Sequence, residues 1–146
     1  MQQKTPYPQQ VIIAGKSYSI DDAYALAVQY AGQKNSAESA AILRQLLQVE
    51  RNHAPSLNAL GVLLFDDHLD EAISLFRRSI QHHPKHAIAY NNLGYAWITK
   101  GQMDEAEKML LKAVELNPAS TQALYNLTLI RKYTLDHKVV KHMQLL

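Results

Sequence analysis

The residues best equipped for chemistry are three histidines, His82, His83 and His86, in the run HHPKH. Imidazoles this close invite a divalent metal, because the neutral ring nitrogen is a good zinc ligand. They straddle Pro84 with no Cys or carboxylate in step, so the run reads as a solvated turn. Asp66-Asp67 and Asp70-Glu71 gather carboxylates without the alternating oxygen ligands of a calcium loop. Their acidic pair suits the N-terminus of a following helix, where the dipole favours negative charge. Arg77-Arg78 and the group Arg131, Lys132, Lys138 and Lys141 could meet an anion, but they read as solvated helix faces. There is no glycine-rich phosphate loop, no nucleophile elbow, and no Ser, His and Asp set with a reason to converge. The chain is therefore expected not to be an enzyme, with no catalytic residues, no cofactor and no metal.

What remains is binding, and composition narrows the partner. The chain has 146 residues, 47% of them apolar and 19% charged, enough for one continuous core. The net charge is +2, with 15 basic residues spread among 13 acidic ones, so no electrostatic footprint for nucleic acid stands out. Cysteine is absent, which removes disulfides and thiol chemistry and fits a reducing cytoplasm. The N-terminus MQQKTPYPQQ has no apolar run of signal-peptide length, and no window reaches the ~18 apolar residues of a membrane span. A cytoplasmic protein that binds neither nucleic acid nor membrane is expected.

The elements that must position any site are helices in pairs. From Ala87 to Pro118, Tyr90, Leu93, Gly94 and Trp97 recur at the three-and-four spacing of one helix face. Gly101 then stops that helix, Asp104 and Glu105 open the next, and Ala106, Met109, Leu110 and Ala113 form its apolar stripe before Asn117-Pro118 ends it. Gly94 and Ala106 are short where two helices must approach, and Trp97 and Leu110 can fill the space beside that contact.

This stretch resembles the tetratricopeptide repeat, whose pattern is W-x2-L-G-x2-Y, then A-x3-F, then P. Tyr90 stands at the Trp, Leu93 and Gly94 match, Trp97 stands at the Tyr, Ala106 matches, Leu110 replaces Phe and Pro118 matches. The preceding segment repeats it with Leu57, Leu60, Gly61, Leu64, Ala72, Phe76 and Pro84. The Gly, Ala and Pro slots are 33, 34 and 34 residues apart. A first unit keeps the register with Ala23, Leu26, Ala27, Tyr30, Ser39, Leu43 and Leu46, though Arg51 replaces its Pro. The resemblance implies an all-α, right-handed solenoid of three helix-turn-helix units at about 20–53, 54–86 and 87–120. A cap helix is expected over 120–135, because Arg131 breaks the pattern and a solenoid end needs a polar face.

Residues 1–18 are expected to be extended or disordered, with Val11-Ile12-Ile13 lying against the first helix pair rather than forming a sheet. Ser19 and Asp22 form a capping-box-like helix start within a 19–135 solenoid. Residues 136–146 read as a short last helix or connector, and the apolar Leu145-Leu146 pair suggests docking or a homo-oligomer formed through solenoid ends. The run NLTLIRKYTLDHKVVKHMQLL is similar to the connector before the sulfotransferase domain of bacterial repeat–sulfotransferase proteins. The alternative it implies is the N-terminal arm of a larger enzyme whose catalytic domain lies outside this chain.

In the family the first helices of successive units line a concave groove that holds peptides. Carried over by register, the groove residues are Tyr24, Asn58, Phe65, Asn91, Asn92, Tyr95, Tyr125, Asn126, Lys132 and Tyr133, with Gln122 also facing inward. Amides can pair with both groups of a peptide backbone, and Tyr joins apolar contact to a polar tip. Asn92 and Asn126, 34 residues apart, resemble the asparagine ladder of some members. A carboxylate clamp is not expected, because Tyr24 and Val28 stand where Lys and Asn would be needed. The resulting expectation is a protein–protein interaction scaffold that binds a protein or extended peptide.

Overall fold

The structure, a computed structural model, describes residues 9–144, with the side chains of Tyr133 and of 135–144 outside that description. Among the described residues it comprises β1 (Gln10–Ile13), β2 (Lys16–Ser19), α1 (Ile20–Gly32), α2 (Ser36–Val49), α3 (Ala54–Leu64), α4 (Leu69–His82), α5 (Ala87–Thr99), α6 (Met103–Leu116) and α7 (Thr121–Gln144). The chain divides into two compact units, Met1–His82 and His83–Leu146.

In the first unit α1 packs on α2 and α3 on α4, with α2 also against α3. The Ser19 and Asp22 pair closes α1 reciprocally: the Asp22 N–H donates to Ser19 Oγ at 3.1 Å, and Ser19 Oγ donates to Asp22 Oδ2 at 2.8 Å. Ala27, Ile42, Leu43, Leu57, Leu60 and Leu75 form one buried cluster. Two buried hydroxyls bridge the paired helices, Ser39 Oγ donating to the Ala27 carbonyl at 2.8 Å and Ser79 Oγ to that of Ala54 at 2.9 Å. A serine is tolerated in these slots because a carbonyl accepts its proton.

The second unit repeats the plan, with α5 packed on α6 and α7 against both. Gly101 takes φ 75° and ends α5, as the glycine-stop reading requires. Lys34 does the same work after α1 at φ 61° with a full side chain. That backbone region costs a non-glycine residue roughly 1–2 kcal/mol.

The glycines show why helix pairs form where they do. A Cβ built on Gly94 would lie 2.6 Å from Leu110 Cγ, and one on Gly61 would lie 2.6 Å from Phe76 Cε1. Both values fall far inside the 3.5–4.0 Å at which carbon atoms rest in contact. Gly61 and Gly94 thus hold equivalent places, each roofed by the large residue of the partner helix.

Two regions differ from the expectation. The segment before α1 is a two-stranded antiparallel hairpin pairing Ile13 with Lys16 and Val11 with Tyr18. Its Ala14-Gly15 turn has positive φ at both residues, 48° and 77°, as a two-residue hairpin loop demands. Its Ile13 packs against the helical core cluster. Val11, 1% exposed, does lie against the first helix pair, clustered with Ala23 and Leu46. At the other end a separate last helix is not found: α7 runs unbroken through 136–144, because no Gly or Pro interrupts Thr121–Gln144. The Leu145-Leu146 pair lies outside the described residues.

Gly61→Ala and Gly94→Ala should each destabilise the protein by about 1–3 kcal/mol in urea unfolding. The helix-propensity gain of about 1 kcal/mol works against that loss and does not cancel it. Lys34→Gly should instead stabilise it by about 0.5–1 kcal/mol, since relief of the left-handed strain exceeds the added chain entropy.

Candidate functional site

The second unit brings amides together. Asn91, Asn92 and Tyr95 lie within one turn of α5, and Gln122 and Asn126 lie four apart on α7, so each set shares a face. These five residues line a cleft of about 310 Å³. Gln122 Nε2 donates to Asn126 Oδ1 at 3.4 Å, and Asn126 Nδ2 donates to Asn91 Oδ1 at 3.0 Å. The relay runs one way. Each amide uses one group on its neighbour, which leaves Gln122 its carbonyl and Asn91 its amino group for a ligand.

This geometry separates the two asparagines that register treats alike. Asn92 is half-buried, whereas Asn126 is 1% exposed and bonded on both sides. Asn126 therefore supports the cleft from below, tying α7 to α5, rather than standing as an open rung. Its partner Asn91 lies 35 residues away, a pairing that a register of 34 does not reveal.

The other register positions distribute as follows. Tyr95 and Tyr125 are exposed at 43% and 59%, and Lys132 is exposed on α7. The Tyr133 side chain lies outside the described residues. Tyr24, Asn58 and Phe65 belong to the first unit and do not line this cleft. Tyr24 packs against both core clusters of that unit and meets the His53 ring edge-on at 5.6 Å. Asn58 and Phe65 are half-buried on α3 and at its C-terminus. Val28 and Val62, exposed at 49% and 51%, occupy the slot of Tyr95 on α1 and α3, so these first-helix faces offer apolar contact rather than charge.

The rings of His83 and His86 stack with centroids 5.5 Å apart and planes 22° apart. Burial, and then the neighbouring His83, hold the His86 pKa below the usual imidazole range.

A chain of paired helices, closed over glycines and offering amides and rings on its first helices, defines an all-α helical-repeat scaffold. The profile of the family described as Tetratricopeptide repeat matches its residues 63–128. The chain is 33% identical over 90 residues to the BBSome complex member BBS4 homolog of Drosophila melanogaster, covering 60% of this chain and 18% of that protein. It spans less than a fifth of the length of the curated relatives it matches. Among solved structures, the first TPR of Spaghetti (RPAP3) bound to HSP90 peptide SRMEEVD superposes with a TM-score of 0.75 at 16% identity, over 80% of this chain and 93% of that one. YrrB, described as a TPR protein with an unusual peptide-binding site, gives 0.65 at 26% identity, over 74% and 56%. These matches show an all-α helical-repeat fold of the solenoid class. Among the described residues no helix is long and apolar enough to cross a membrane.

Asn126→Ala should cost about 1–3 kcal/mol in urea unfolding, because it strands the buried Asn91 carbonyl. Tyr125→Ala should stay within about 0.5 kcal/mol. For His86, unfolding restores the ordinary pKa, so protonation favours the unfolded chain. Its contribution is intact above the ordinary value near 6.5 and is lost as pH falls from there through the lowered folded value. Thermal midpoints measured from about pH 8 to 5 should fall less steeply on the acid side in His86→Gln than in the wild type.

Proposed function

We propose that this chain is a binding module that holds an extended peptide in the cleft between α5 and α7 and performs no chemistry on it. The observation that carries the reading is the cleft between α5 and α7, where an acceptor at Gln122 and a donor at Asn91 sit on a buried amide relay. A peptide backbone offers the complementary pair, an N–H and a C=O, at every residue, so such a cleft recognises main chain with little regard to sequence. Asn92 adds a further amide, and Tyr95 and Tyr125 supply apolar contact with polar tips. RPAP3, bound to an HSP90 peptide, and YrrB, with its unusual peptide-binding site, support the same use for this chain. The exposed rings of Tyr95 and Tyr125 favour a ligand with apolar side chains over one held by its carboxylates.

A peptide array probed with labelled protein tests the reading. Peptides that bind the wild type should bind Tyr95→Ala/Tyr125→Ala at least about tenfold more weakly, and N-methylation of their central backbone amides should abolish binding. Equal binding to the double variant, or indifference to N-methylation, contradicts it.

A further inference from the structure

The second helices of the first unit carry a separate recess. A cleft of about 360 Å³ lies between α2 and α4, walled by Arg44, Arg51, Glu71 and Arg78 over Leu47 and Leu75. Arg44 on α2 and Arg78 on α4 are one place out of register, since Leu43 matches Phe76 and Arg44 therefore matches Arg77, so it is the packing that brings these two guanidiniums to one recess. Three positive groups face one negative group, a local excess of +2 within a chain whose total is +2.

The three arginines are held differently. Arg78 Nη2 donates to the backbone carbonyl of Arg51 at 2.9 Å, which fixes its head group without neutralising it. Arg44 Nη1 lies 3.3 Å from Glu71 Oε1, with the two side chains 51% and 45% exposed. An ion pair so wet contributes little, so an incoming carboxylate can displace Glu71. Arg51 meets no carboxylate among the described residues. A guanidinium takes a carboxylate through two parallel N–H donors, a fit stronger and more directional than a point charge gives. The leucines below provide contact for an aliphatic group and nothing for a bare anion.

The geometry points to a docking surface for an acidic peptide segment, whose carboxylates engage Arg44 and Arg51 while a neighbouring aliphatic side chain enters over Leu47 and Leu75. Charge complementarity selects this occupant. The balanced charge of the whole chain disfavours nucleic acid, and a recess of this size fits one or two side chains. This surface is separate from the amide cleft, and its ligand is read by side chains rather than by main chain.

Fluorescence anisotropy with a fluorescein-labelled peptide of about ten residues alternating Glu and Leu tests it on the full chain. Arg51→Gln and Arg44→Gln should each weaken binding about tenfold, and Glu71→Gln should tighten it about three- to tenfold by removing the competing carboxylate. Raising salt should weaken it further. The gain in Glu71→Gln cannot arise from misfolding, and thermal midpoints check the arginine variants. The proposal is overturned if the same peptide with Gln for Glu binds as well. It is equally overturned if Glu71→Gln has no effect, or if tripolyphosphate competes as strongly as the unlabelled acidic peptide.

Discussion

Two helices can lie side by side only where one of them presents almost nothing, and that constraint governs this protein. Phe76 rests on the bare backbone of Gly61 and Leu110 on that of Gly94, and both large residues are fully buried. Burying such a side chain contributes roughly 1.5–3 kcal/mol. That contribution depends on the missing methyl, since a Cβ at 2.6 Å would push the partner helix away. The first hairpin meets the same demand with different parts. Ala27, fully buried, replaces glycine, and Ser39 in the facing helix sends its hydroxyl to the Ala27 carbonyl.

Because the periodic residues are consumed by packing, binding chemistry is left to the faces between them. Those faces differ. First helices carry amides, rings and valines, a surface suited to main chain and apolar groups. The second helices of the first unit carry arginines above leucines. The buried bond between Asn126 and Asn91 connects packing with recognition, since it orders the cleft while holding α7 to α5. A polar pair in that position specifies one arrangement of the two helices, because any slip would leave both amides buried without partners.

Helix pairing was legible in the sequence because small and large residues recur at a period that unrelated amphipathic helices would not keep. The stops at Gly101 and the cap at Ser19 were legible for local reasons, a positive φ and a side-chain oxygen three residues from an acid. The hairpin before α1 was hidden, because Ala14-Gly15 lacks the Asn-Gly signature and four-residue strands show little alternation. The unbroken α7 is hidden for the opposite reason: residue character changes along Thr121–Gln144 although no breaker is present. In the site, register grouped Asn92 with Asn126, and only the packing of α5 against α7 shows that Asn91 is the true partner. The arginine recess needed the structure too, since Arg44, Arg51 and Arg78 are dispersed in sequence and converge when α2 lies beside α4.

The claim that shape at the glycine contact holds each hairpin together is tested most directly by a double-mutant cycle on Gly94→Ala and Leu110→Ala, read by urea unfolding. If the two groups compete for one space, the double variant will be more stable than the sum of the single losses by about 1 kcal/mol or more, because shortening Leu110 makes room for the added methyl. Losses that add within about 0.3–0.5 kcal/mol would show the two positions to be independent and would contradict the account.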